Sequence, residues 1–151
     1  MKKVITTFLV LLSLLAVAAS FLPTSQKSLI SEVFVEPTYN SLSGREGSDG
    51  EVLVVKIDDT TAARPQIGID RADIVYIEQV EAGLTRLAAV FSSEIPTEIG
   101  PVRSARISDI EILAQYGRVV FAYSGAQSKL LPAIAAANLN DYGAQRQSPT
   151  I

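Results

Sequence analysis

The stretch IGPVRSARISDIEIL, residues 99–113, places Arg103 and Arg106 around Ser104, directly before a segment with helical spacing. A helix start carries free backbone N–H groups and the positive end of the helix dipole, so it favours anions and disfavours guanidiniums. Two arginines there repel the dipole unless something negative neutralises them. A protein carboxylate such as Asp109 or Glu111 would do so, and so would a phosphate or carboxylate ligand. Ser104 adds a hydroxyl donor to the second reading, and Arg suits bidentate contact with either anion.

Three further groups carry chemistry. In DDTTAARPQIG, residues 58–68, Asp58 and Asp59 follow an apolar run and Pro65 stiffens the loop that holds Arg64. Adjacent aspartates point to opposite faces of a strand, so the two are a poor metal pair. Asp73, Glu78, Glu81 and Arg86 form the next group, in which Glu81 and Arg86 flank a turn and pair across a hairpin. The third is Tyr123-Ser124-Gly125, which lacks the G-x-S-x-G frame of a nucleophile elbow and reads as a turn with a satisfied hydroxyl or as a ligand contact. Lys56, inside VLVVKI, either faces a site or carries its amine out to solvent.

The elements that must position these residues follow from the pattern. EVLVVKI (51–57) predicts a buried strand and 58–68 a loop. ADIVYIEQV (72–80) and LTRLAAVFS (84–92) predict a hairpin around EAG (81–83), with Gly83 available for positive φ. Residues 93–106 read as loop. Ile107, Ile110, Leu113 and Ala114 recur at helical spacing over 107–116, with Ser104 or Ser108 to cap the helix and Gly117 to end it. A strand over 118–123 follows, then a helix over 127–138 with Pro132 in its first turn. The polar end, DYGAQRQSPT and Ile151, predicts no closing element. The order predicts an α/β or α+β fold, a mixed sheet with a β-hairpin and packed helices, over 51–151. The sheet reads as unfinished, as if the domain were truncated at its C-terminus.

Composition narrows the function. The net charge is −3 and the pI about 4.9, which argues against bulk nucleic-acid binding. The chain has no His and no Cys. That removes Ser-His-Asp and Cys-His machinery and any zinc site built on those ligands. Any metal would need oxygen donors. No cofactor is indicated.

Residues 1–22 begin with Lys2 and Lys3, continue as an apolar run and end in small residues, the pattern of a signal peptide. Left uncleaved, the segment is long enough to serve as a membrane anchor. Either way the rest of the chain lies outside the cytoplasm. Residues 23–50, with SLSGREGSDG, read as a flexible linker.

KIDDTTAARPQIGIDRADIVY, VEAGLTRLAAVF, IGPVRSAR and VVFAYSGAQ, taken in that order, resemble the YerB-like family of bacterial lipoproteins, which is defined by a domain of unknown function. The resemblance spans roughly Asn40 to Leu139. It implies an extracytoplasmic, envelope-associated protein whose domain continues past Ile151 with a basic segment. Two departures matter. With no cysteine this chain has nowhere to carry a lipid, so its leader must secrete or anchor it. Tyr123 stands where many members carry His, which puts a role for that imidazole in doubt. A looser similarity, to LytR-CpsA-Psr phosphotransferases, is analogy only.

Three functions follow. The first is an envelope-side domain that binds a phosphorylated or carboxylated molecule through Arg103, Ser104, Arg106, Arg64 and Arg86. In the second, the arginines pair internally and the hairpin surface binds envelope proteins. The third is a metal-assisted phosphotransferase or hydrolase with Asp58 or Asp73 on Mg²⁺.

Overall fold

The computed structural model describes residues 37–144 together with Ser13. The chain separates into two units, Met1–Pro37 and Thr38–Ile151. The expected leader over 1–22 lies outside the described residues except for Ser13, which is helical, as do residues 23–36 of the expected linker.

The second unit runs β1 (Leu53–Asp58), β2 (Ile74–Gln79), β3 (Thr85–Phe91), α1 (Ile107–Ala114), β4 (Val119–Tyr123), α2 (Leu131–Ala136) and β5 (Leu139–Gly143). Among the described residues the strands form one sheet in the order β2-β3-β1-β4-β5. β3 is antiparallel to β1 and β2, while β4 is parallel to β1 and to β5. This is the expected mixed α/β sheet with its hairpin.

Strand alternation divides the apolar residues between two faces. Val54, Ala88, Val90, Val119, Phe121 and Tyr123 pack with Leu113 of α1 and Ile134 of α2. On the opposite face Val55, Ile57, Leu87, Ala89 and Phe91 pack with Ala72, Ile69 and Ile99. Both helices therefore cover one face, and loops cover the other. The β-branched run at Leu53–Asp58 becomes the central strand because both of its faces are buried.

Local chemistry sets the ends. The hairpin turn is a short 3₁₀ segment, Glu81–Gly83, in which Ala82 (φ 59°) and Gly83 (φ 72°) are both left-handed. α1 is capped by neither Ser104 nor Ser108: its N-cap is Arg106, whose backbone N–H donates to Asp109 Oδ2 at 2.6 Å. Gly117, at φ 75°, turns the chain into β4. The expected 127–138 helix is shorter, a 3₁₀ turn at Ser128–Leu130 followed by α2, with Pro132 in the first turn as anticipated.

Two expectations differ from the structure. Residues 38–50, though mostly exposed, are folded into a hydrogen-bonded turn around one buried residue rather than left as a free linker. Asn40 is 1% exposed and donates to Ser92 Oγ, while its own Oδ1 accepts from the Leu42 and Ser43 N–H groups. A Ser/Gly-rich composition reads as linker because it lacks apolar residues, yet one buried Asn can fold such a segment into a turn. The polar end also holds a strand that its pattern does not predict: LNDYG forms β5, at the edge of the sheet. Its polar side chains hid it. Asp141 accepts from the Tyr123 hydroxyl at 2.8 Å, and Gly143 lies against the Tyr123 ring.

A Cβ on Gly143 would stand 2.5 Å from Tyr123 Cζ. Gly143→Ala is therefore expected to destabilise the domain by about 1–3 kcal/mol, the usual cost of overpacking, as read by urea unfolding.

Candidate functional site

β1 and β4 pair only from Leu53 to Val55 and from Val120 to Ala122. Beyond that they part, and GPVRSA fills the fork. Ile57 bridges Val102, the Asp58 N–H donates to the Pro101 carbonyl, and the Arg103 N–H donates to the Lys56 carbonyl. On the other side the Ser124 N–H donates to the Arg103 carbonyl and the Ala105 N–H to the Gly125 carbonyl. The arginine loop is thus stitched between the carboxyl ends of two parallel strands, the usual place for a site in an α/β sheet.

Alternation directs Lys56, Asp58, Glu78 and Arg86 to the helix-covered face at this same end. Lys56 is fully buried. Its ammonium donates to Glu78 Oε1 and, at 2.8 Å, to Asp109 Oδ1. Ala88 is the register partner of both Lys56 and Tyr76 and leaves room for the lysine stem to cross β3 towards Glu78. The Ser108 hydroxyl donates to the other Glu78 oxygen. Burial pushes the Asp109 carboxyl up to about 6, with Lys56 opposing and Glu78 adding to the rise. The open choice for Lys56 is thereby settled: it faces inward, into a buried ion cluster. Nothing in the sequence pattern marks Glu78 and Asp109 as its partners. The available signal was a lysine within a β-branched run.

The arginines lie at the mouth of this cluster. Arg86 is 9% exposed and sits opposite both Asp58 and Glu78 in the strand register. Among the described residues no carboxylate lies within ion-pair distance of it, and its hydrogen bond is a long one, 3.4 Å, to the Ser104 carbonyl. Burial lowers its pKa, and the charges of Arg106 and Arg103 lower it further, against Glu81 and Asp58. Arg103 meets Asp58 through Nε at 3.4 Å and remains half exposed. Arg106 donates from Nε and Nη2 to Glu81 Oε2 at 3.1 and 2.9 Å. The Ser104 hydroxyl has no hydrogen-bond partner among the described residues, and its carbonyl serves Arg86.

Arg86, Arg103, Ser104 and Arg106 are brought together; Arg64 is not. It pairs with Asp59 at 2.8 Å, an oxygen pair completed by the Thr85 hydroxyl at 2.6 Å. The Thr85 hydroxyl first and Arg64 second hold the Asp59 carboxyl below its ordinary range. Glu81 does not pair with Arg86 across the hairpin, because Arg106 takes it. Asp73 is spent on the backbone N–H groups of Ser92 and Ser93, at 2.6 and 2.8 Å. It lies on β2's amino-terminal side, away from the arginine loop. Among the described residues no three His, Cys, Asp or Glu side chains gather as a metal site. Tyr123 is buried against Asp141, so it offers nothing to a ligand.

Beside Arg106 opens a cleft of about 360 Å³, lined by Glu81, Ala105, Arg106, Ile107, Gln127, Lys129 and Leu130. Lys129 is a cation that the sequence pattern did not single out.

Comparison with known proteins bears on the family and the fold. The family model described as the N-terminal domain of a protein of unknown function, DUF3048, matches residues 41–150. The protein named "Putative lipoprotein YerB" of Bacillus subtilis (strain 168) is 44% identical over 54 residues, 36% of this chain and 16% of that protein. The crystal structure of YerB from Bacillus subtilis superposes with a TM-score of 0.68 at 24% identity, covering 75% of this chain and 40% of that one. At that identity the superposition speaks for the fold. The chain thus spans well under half the length of the relatives it matches.

Two outcomes follow from the buried cluster. Lys56→Met leaves Glu78 and Asp109 facing each other, and is expected to cost about 3–5 kcal/mol at neutral pH, the cost of orphaning buried charge. The loss should be smaller at pH 5, where one carboxyl is protonated; urea unfolding at the two pH values reads both. The second outcome concerns Asp109, whose folded pKa of about 6 stands above its ordinary 3.8. Between those values the folded chain holds a proton that the unfolded chain has released, so this residue's contribution to stability falls as pH rises through that window. The stability difference between wild type and Asp109→Asn should change across it and be flat above it.

Proposed function

The chain belongs to the family defined by the DUF3048 N-terminal domain, and on that footing we propose that it is an extracytoplasmic domain that binds a phosphate or carboxylate group at Arg86, Arg103, Ser104 and Arg106. One observation carries the reading. Arg86 is nine-tenths buried, has no carboxylate at ion-pair distance among the described residues, and is crowded by two further guanidiniums. Burial and the charges of Arg106 and Arg103 act against the Arg86 cation while Glu81 and Asp58 favour it, and an added anion would favour it further. The exposed half of Arg103 and the free Ser104 hydroxyl are donors ready for that anion. Location rests on the lysine-led leader and on the lipoprotein name of the Bacillus subtilis relative. Because this chain has no cysteine, the leader itself secretes or anchors it.

A second reading has its own support. Arg106 is held by Glu81, and Arg103 leans on Asp58, so part of the positive charge is met internally. The hairpin also exposes Ile77, at 73%, and Leu84, at 51%. An interaction module that uses this hairpin against envelope proteins is consistent with both facts. Metal-assisted transfer is the weakest reading: of the two aspartates it invokes, Asp73 serves the Ser92 and Ser93 N–H groups away from the loop, and Asp58 is paired with Arg103.

The test is thermal unfolding of the full chain with pyrophosphate and with short polyprenyl-phosphate analogues, beside Arg103→Ala/Arg106→Ala. Both replaced side chains are outside the core. A ligand at about ten times its Kd should raise Tm by roughly 5–10 °C, and the double variant should lose the rise. Equal shifts in both proteins, or none in either, would move the assignment to the interaction module.

A further inference from the structure

The cleft beside Arg106 is not shaped for a small inorganic ion. Its floor is Ala105, fully buried, and Leu130, 6% exposed. Ile107, the first residue of α1, forms a wall and is 67% exposed, an unusual place for a large apolar side chain. Arg106 and Lys129 bring two cations to its edge. A phosphate ion alone would leave the apolar wall in water. A neutral apolar molecule would leave the cations unmet.

Glu81 already shows how Arg106 is engaged. A single oxygen, Oε2, accepts from both Nε and Nη2, as one oxygen of a phosphate would. Its side chain is 61% exposed and rises from a turn with two left-handed residues. Only the Glu81 side of the pair is exposed, and a carboxylate held from solvent in this way can be displaced by a better anion.

We propose that the cleft binds an amphiphilic phosphate. The headgroup takes Arg106 from Glu81 and reaches Lys129, and a short hydrocarbon segment lies along Ile107 and the exposed edge of Leu130. Glu81 is then a built-in competitor for the site. This rests on the anion reading above, with which the cleft lining shares Arg106 alone, and adds the ligand class and the competing residue.

The experiment compares hexyl phosphate with inorganic phosphate by calorimetric titration of the full chain, with Ile107→Ser and Glu81→Gln in parallel. Hexyl phosphate should bind about tenfold more tightly, the gain expected from burying two methylenes. Ile107→Ser should erase that advantage and leave phosphate affinity unchanged. Glu81→Gln should tighten both ligands about two- to fivefold. Equal affinities for the two phosphates, both still lost in Arg103→Ala/Arg106→Ala, would overturn the amphiphile inference and leave the anion site standing. No binding of either would overturn the anion reading and this inference together.

Discussion

The structure depends on how one ammonium is buried. Lys56 sits on the central strand, under α1, with no exposed surface. An unpaired charge in that position would cost several kcal/mol, so the fold must bring carboxylates to it. Glu78 comes from β2 and Asp109 from the first turn of α1. Asp109 then does a second thing, accepting the Arg106 N–H that opens the helix. The start of α1, and the direction in which the loop before it leaves, are therefore fixed by the same group that neutralises Lys56. Apolar packing alone could hold α1 on the sheet, but it would not set its first residue so closely.

That constraint explains why three guanidiniums end up together. GPVRSA must run from the edge of β1 to a helix whose start is pinned, and the fork between β1 and β4 supplies its backbone hydrogen bonds. Arg103 and Arg106 are carried to the fork with it, while Arg86 arrives from β3 on the same face. Nearby carboxylates moderate the repulsion without cancelling it. Asp58 reaches Arg103 at the long end of an ion pair, Glu81 holds Arg106 from solvent, and Arg86 has neither. Burial and the two neighbouring cations together push the Arg86 pKa down. This arrangement supports the binding proposal: three guanidiniums, one of them buried without an ion pair among the described residues, next to a partly apolar cleft.

How far the sequence alone reached depends on which residues carried the information. Periodicity was enough for β1, the hairpin, α1 and β4, because each sets apolar residues at the spacing of its own element, although in α1 only Leu113 of that set is buried. It missed β5, whose LNDYG is held by Tyr123–Asp141 and by the absence of a side chain at Gly143, not by hydrophobicity. It read residues 38–50 as linker because the buried group there is a single polar Asn40. GPVRSAR stood out from charge placed against a helix start. That Arg86 lies beside it and Arg64 does not could not be read, since strand register turns Arg86 to the helix face while a contact within the loop after β1 pairs Arg64 with Asp59. The Lys56 cluster was half legible. The buried lysine could be seen, but its carboxylates come from two distant elements.

The central claim, that Arg86, Arg103 and Arg106 form one anion site, is tested most directly by following arginine side-chain Nε–H resonances during a pyrophosphate titration of the full chain. The account predicts that the signals of these three move together along one saturating curve, while Arg45, Arg64, Arg71 and Arg118 stay still. Small, parallel, non-saturating shifts of every exposed arginine, with Arg86 unmoved, would contradict it.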